Sequence, residues 1–318
     1  MPNTLKGVTI QLGLRCPLKC SHCYVTAGPT RSRVINAVEI EKIIRGYATY
    51  SNSKVPRRLA ITGGEPFAMR RELKVAYSLA LENKIEVHVN TSGHFATTQN
   101  SARRALEPFR LLASLEVSVD KAHEEYIDRE RPLRCVSVAK ELGIPVQVAV
   151  QELDWEEDIG LRLAVEALGV PVYVQDHAPV GDRNTVKVVS RATLPLTGPC
   201  SKVGMLVFDE FGNCFPCTSC VAMSRREAVS GRIDGFSAGS IGNTDFANLA
   251  AKALENTLTR IVGVVGPNTA ADLLGLAQSA PKTHCDVCIN MHCTVSQDIE
   301  LQRGAQRLLQ LAEYAAGL

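Results

Sequence analysis

Long apolar runs, aromatic residues and an excess of charge of either sign are all scarce in this 318-residue chain. No run approaches the roughly 18 apolar residues of a membrane span, and the opening "MPNTLKGVTIQLGL" lacks the basic start and apolar core of a signal peptide. A cytoplasmic protein with no membrane partner is therefore expected. Lys and Arg number 35 against 33 Asp and Glu, a formal charge of +2, so neither nucleic acid nor an anionic membrane surface is predicted to bind. Repeats at a solenoid or propeller period are missing, as are low-complexity tracts. What remains is the composition of an ordinary globular chain, 45% hydrophobic and 21% charged, long enough for one large α/β domain with a smaller appendage.

Cysteine is what the chain has in plenty. Eleven cysteines in a reducing compartment point to metal or redox chemistry rather than to disulfides. They are placed unevenly: Cys16, Cys20 and Cys23 near the start, Cys135 alone, and seven beyond position 199.

Up to about residue 185, β-branched or apolar runs alternate with amphipathic stretches. "GVTIQL", "RRLAIT", "KIEVHVN", "SLEVSVD", "IPVQVAV" and "VPVYVQD" are the expected strands, with helices predicted over 38–50, 72–82, 98–106, 133–142 and 156–168. Strand and helix repeated six times imply a parallel sheet, doubly wound or curled toward a barrel. Ligands of such sheets bind at the carboxyl ends of the strands, and "CPLKCSHCY" and "ITGGEP" both fall there. The stretch 178–200, rich in Gly, Pro, Thr and Ser, reads as a connection. After it "MLVFDEFGNCFPC" reads as a hairpin turning at 210–213, followed by helices over 248–264 and 295–315.

Four ligands complete a structural zinc or iron–sulfur site, yet "CPLKCSHCY" offers a C-x-x-x-C-x-x-C array of three thiols. Three thiolates on a 4Fe–4S cube leave one iron open, and an open coordination position marks a catalytic metal site. A zinc site with His22 as fourth ligand is the alternative, but His22 lies between two of the cysteines, where the backbone has little freedom to close the same tetrahedron. In "ITGGEP" two glycines permit close approach of the backbone and positive φ, and a proline fixes the exit; a plain turn would look the same.

Together these motifs resemble the radical S-adenosylmethionine superfamily. The resemblance implies a partial (β/α)6 barrel with Cys16, Cys20 and Cys23 as cluster ligands and Tyr24 as the aromatic residue that follows them. It implies that Gly63, Gly64 and Glu65 receive the cofactor's amino group, that Ser92 in "NTSG" and Ser118 in "SVD", with Asp120, contact its ribose, and that Gln147 meets its polar end. Each of the last four is equally readable as a residue capping a strand end. His123 reads as a substrate-facing acid or base or as a surface histidine.

Late in the chain, Cys200, the hairpin "GNCFPC" with Gly212 and Cys217, and the pair Cys285 and Cys288 resemble a small C-terminal Cys-rich twitch or SPASM-like domain. Those four cysteines would ligate a second, auxiliary 4Fe–4S cluster. A zinc ribbon built from Cys214 and Cys217 with Cys285 and Cys288 is the alternative. The implied organisation is a radical core at 1–185, the auxiliary domain at 186–295 and a terminal helix at 296–318. Cys135 reads as a small core residue, leaving Cys214, Cys220 and Cys293 as spare thiols or further ligands.

The chemistry implied is reductive cleavage of S-adenosylmethionine and abstraction of hydrogen from an unactivated carbon. A thiol that then returns hydrogen from the opposite face inverts the carbon, for which Cys220 is the first candidate and Cys214 the second. The order of motifs resembles the short peptide epimerases that make D-residues in ribosomal peptides, although their donor lies close to the hairpin ligand, where this chain has Thr218. An aminoglycoside or aminocyclitol epimerase or dehydrogenase is the second reading, kept open by how early Cys16 comes; an oxidative peptide cross-linking maturase is the third. A zinc-stabilised binding protein is the reading from another class. The partners implied are a peptide or small-molecule substrate and an electron donor of the flavodoxin or ferredoxin type.

Overall fold

The computed structural model describes residues 4–175, 198–221, 237–276 and 284–317. All six expected strands form: β1 Gly7–Gln11, β2 Arg58–Thr62, β3 Glu86–Thr91, β4 Ser114–Ser118, β5 Val146–Gln151 and β6 Val172–Gln175. Each is parallel to the next. Between them run α1 Ala37–Thr49, α2 Arg70–Glu82, α3 Gln99–Leu106, α4 Lys121–Glu124, α5 Glu130–Glu141, α6 Glu152–Glu157 and α7 Ile159–Ala167. The spatial order runs without reversal from β6 to β1. Because crossovers share one hand, an order with no switch point puts every helix on the same face, and the sheet curls into a partial (β/α)6 barrel.

The two faces are written in the alternation of each strand. Val8 and Ile10, Leu59 and Ile61, Val87 and Val89, Leu115 and Val117, and Val148 and Val150 join one buried cluster with Ile40, Ile43 and Ile44 of α1 and Leu73 and Ala76 of α2. Burying each such aliphatic side chain contributes about 1.5–3 kcal/mol, which fixes the strands in register. The opposite, inner face carries Gln11, Thr62, His88, Asn90, Glu116, Ser118, Gln147 and Gln151.

The sheet continues beyond β1. Strand β7, Met205–Phe208, pairs with β1 in parallel; β8, Asn213–Phe215, returns antiparallel; β9, Gly239–Ser240, completes a nine-stranded sheet. Among the described residues, the helices that follow are Phe246–Leu254, Thr257–Val265, Pro267–Leu273, His284–Ser296 and Ile299–Ala315. The single helix expected over 248–264 is two helices, because Asn256 accepts from the N–H of Thr259 and starts a new one. The last helix begins at Ile299 rather than 295, since Asp298 caps it through the N–H groups of Glu300 and Leu301. "CDVCINMHC" is itself helical, which sets Cys285 and Cys288 on one face. Most of the 178–200 connection and the expected boundary at 185 lie outside the described residues. Among those described, no helix is long and apolar enough to cross a membrane.

Candidate functional site

Strand β1 ends at Gln11 and runs directly into the cysteine loop, which Arg15 and Gly28 close by a parallel bridge. Cys20 is buried, and Cys16 and Cys23 are half-buried. Two of the sulfurs accept backbone N–H groups, Cys16 from Leu18 at 3.4 Å and Cys23 from Ala27 at 3.3 Å. Burial pushes Cys16 up to about 12; the Leu18 N–H acts against this, while Glu65, Cys20 and Cys23 add to it. A nearby cation would favour the thiolate of Cys16 against that burial, so the loop is suited to a metal centre.

The "ITGGEP" turn docks on that loop through its backbone. Gly64 donates to the carbonyl of Gly13 at 2.7 Å and Glu65 N–H to that of Arg15 at 2.9 Å, while the Arg15 guanidinium reaches back to the Ala68 carbonyl at 2.9 Å. A Cβ on Gly63, at φ 133°, would lie 2.6 Å from Gly13 O, and one on Gly64 only 2.3 Å from Arg15 O. The glycines therefore lock the two motifs into one unit. The Glu65 carboxylate turns inward, accepting from Phe67 N–H, Thr91 Oγ1 and both the N–H and Oγ of Ser92 at 2.7–3.0 Å. Burial acts to raise its pKa, but His94 and Ser92 outweigh burial and hold it below the ordinary range. Ser92 thus braces Glu65 from the β3 loop.

After β4, Asp120 caps α4 and takes the His123 ring at 2.8 Å through both oxygens. His22 lies 3.8 Å from Asp120. Burial works against both charges of the Asp120–His123 pair, yet their mutual attraction holds Asp120 at about 2 and lifts His123 well above its usual value, with Cys20 assisting. The two residues form a buried ion pair against the cysteine loop.

The late cysteines converge. Cys217 and Cys220 Sγ lie 3.4 Å apart, Ser219 Oγ lies 3.1 Å from Cys285 Sγ, and burial, followed by the neighbouring Cys217, Cys285 and Cys200, raises Cys288 well above the ordinary thiol range. Sharing a hydrogen bond lowers Cys217 and raises Cys220 well above the ordinary range. Cys293 packs beside them, against Phe215 and Cys220, whereas Cys214 is fully buried in the main core along with Cys135. Tyr24 packs, as Cys16 and Cys23 do, against Leu14, Val25 and Ala27, and it also packs against the Val207, Phe215 and Cys220 cluster beside the late cysteines.

On the inner wall, Gln147 meets a carboxylate. Its Nε2 donates to Glu116 Oε2 at 2.6 Å, and Asn90 Nδ2 donates to Oε1. Glu116 and Asn90 escaped sequence reasoning, although the alternation of "EVS" puts Glu116 on the face of Ser118.

Among the described residues, the group of three or more His, Cys, Asp or Glu donor atoms lying within 4.8 Å of one another is His22, Asp120 and His123. A half-barrel with a three-thiol loop at the carboxyl ends of its strands defines a metal-cluster enzyme of the partial-barrel class. Residues 10–151 match the model of the radical SAM superfamily, and the chain carries a radical SAM domain. Among solved structures it resembles anSMEcpe with bound AdoMet (TM-score 0.58, 13% identity, 96% of this chain and 99% of that chain). It also resembles BtrN in complex with AdoMet and 2-DOIA (TM-score 0.51, 12% identity, 90% and 92%). At such identity these likenesses show the fold. No curated protein matches the sequence.

Proposed function

We propose that this protein is a radical S-adenosylmethionine enzyme that inverts a carbon centre of its substrate without net oxidation, with Cys220 as hydrogen donor. The observation that carries the reading is the gathering of Cys200, Cys217, Cys220, Cys285 and Cys288, with Cys293 beside them, more thiols than the four a cluster takes. When bound, a 4Fe–4S cluster on Cys16, Cys20 and Cys23 and S-adenosylmethionine supply the radical that removes a hydrogen atom from carbon.

The chain's own residues do the rest. Gly63 and Gly64 hold the second loop against the cysteine loop, Glu65 and Ser92 tie both to β3, and Ser118 faces the barrel from the end of β4. Cys200, Cys217, Cys285 and Cys288 would hold an auxiliary 4Fe–4S cluster. Cys220, 3.4 Å from Cys217, is left outside the four ligands as a thiol, and an S–H bond is weaker than C–H, so transfer of its hydrogen atom to a carbon radical is downhill. The resulting thiyl takes one electron and one proton to become a thiol again, the electron coming from a flavodoxin- or ferredoxin-type donor. Cys214, sealed in the core, is poorly placed for the role.

Sequence resemblance favours a peptide residue as substrate; the polar inner wall favours the second reading, an amino- or hydroxyl-bearing small molecule. The test of the reaction is turnover in D2O with dithionite and S-adenosylmethionine. One deuterium on an inverted carbon supports the proposal, and a product lighter by two hydrogens refutes it in favour of dehydrogenation.

A further inference from the structure

We infer that Glu116 is the substrate-recognising carboxylate of the barrel, and that it takes the ammonium group of a small amino-bearing ring such as an aminocyclitol or amino sugar. The inference rests on the proposed reading, in that it assumes the substrate enters the barrel.

Position comes first. Asn90, Glu116 and Gln147 are direct partners in the register of β3, β4 and β5, on the half-buried inner face. Each carboxylate oxygen receives one neutral amide, so the clamp orients Glu116 and leaves a lone pair on each oxygen. Among the described residues, no Lys, Arg or His nitrogen pairs with it. Burial raises its pKa, with Gln147 and the more distant, exposed Lys202 acting the other way. A half-buried carboxylate held by neutral donors alone is incompletely compensated, and a ligand cation is the group that completes it.

A second observation is independent of that charge. Gln11, on the same inner face and wholly buried, has neither carboxamide atom hydrogen-bonded among the described residues, and Gln151 Oε1 and His88 Nε2 on that face are likewise unpartnered. In the register Gln11 stands level with Asn90, Glu116 and Gln147, whereas His88 lies two residues earlier and Gln151 four residues later along their strands, so Gln11 is the second polar group within reach of a compact ligand held on Glu116. An apolar side chain would bury both without return.

The experiment is calorimetric titration of the anaerobically prepared holoenzyme, with S-adenosylmethionine present. Its probes are 2-deoxystreptamine, a diaminocyclitol; myo-inositol, a ring without amines; and a lysine-containing heptapeptide amide. The diaminocyclitol is expected to bind more tightly than either comparator, and Glu116→Gln to weaken it about tenfold or more. Iron content and visible absorbance confirm that the variant is assembled; should it not be, Glu116→Asp, which keeps the charge but withdraws it by one methylene, must show weakening as well. Undiminished binding in the assembled variant, or tighter binding of the peptide, overturns the inference. Formation of 5′-deoxyadenosine by the wild-type enzyme is scored separately: its absence would sink the radical reading while leaving the recognition result standing.

Discussion

Replacing Gly64 by alanine adds one carbon, and the structure says where that carbon goes. It would sit 2.3 Å from the Arg15 carbonyl oxygen, against about 3.4 Å for ordinary contact. The obstacle is backbone, so no rotamer relieves it, and the two loops must part by about 1 Å. That separation breaks the Gly64-to-Gly13 bond at 2.7 Å and the Glu65-to-Arg15 bond at 2.9 Å. Two buried hydrogen bonds lost, each leaving groups unpaired, amount to about 2–4 kcal/mol. The larger consequence is positional, because the "GGE" turn and the cysteine loop cease to be one unit. Chemical denaturation of Gly64→Ala, with iron content and 5′-deoxyadenosine formation measured on the same preparation, should show lowered stability and loss of both other readouts. Gly143→Ala is the control. Its φ of 71° makes alanine costly by about 1 kcal/mol, but its Cβ would meet nothing within 4 Å, so iron should be retained. A Gly64→Ala protein with wild-type stability and iron would refute the docking of the two motifs.

Other substitutions separate the remaining parts. Cys16→Ala should abolish S-adenosylmethionine cleavage while the late cysteines keep their iron; retained cleavage would overturn the assignment of the first loop. Cys220→Ala should still form 5′-deoxyadenosine yet give no inverted product, whereas Cys214→Ala should cost about 1 kcal/mol of packing and leave inversion in place; the reverse pattern would exchange their roles. His292, buried in the helix that carries Cys285 and Cys288, is held down to about 4 by burial. Its unfolded value is about 6.5, so the unfolded chain binds the extra proton first, and stability present above about pH 6.5 falls as the pH drops toward 4. The loss is on the order of 3 kcal/mol. Stability of His292→Gln measured across that range should show a flatter slope than wild type, and an equal slope would remove His292 as the cause.

Much of the barrel is legible in the sequence because its information is local and repeated. Alternation in "KIEVHVN" and "SLEVSVD" names the buried face, and six such runs separated by amphipathic helices admit few topologies. The breaks at Asn256 and Asp298 are harder, since apolar periodicity passes through both and a single capping side chain decides where one helix stops. Three thiols, two glycines and a glutamate are visible as motifs, but the direction in which Glu65 spends its oxygens is not: Thr91 and Ser92 are 26 and 27 residues away. The clamp on Glu116 is equally non-local, assembled from three strands by register alone. For the late cysteines, spacing suggests the gathering, while the 3.4 Å contact between Cys217 and Cys220 is one that no spacing encodes.

The most direct test of the whole account is a count of iron, sulfide and zinc on anaerobically prepared protein, coupled to an assay for 5′-deoxyadenosine after dithionite and S-adenosylmethionine are added. Two clusters predict about eight irons per chain, matching sulfide, and formation of 5′-deoxyadenosine. Zinc in place of iron, with the cofactor left intact, would contradict the account and return "CPLKCSHCY" to a structural role.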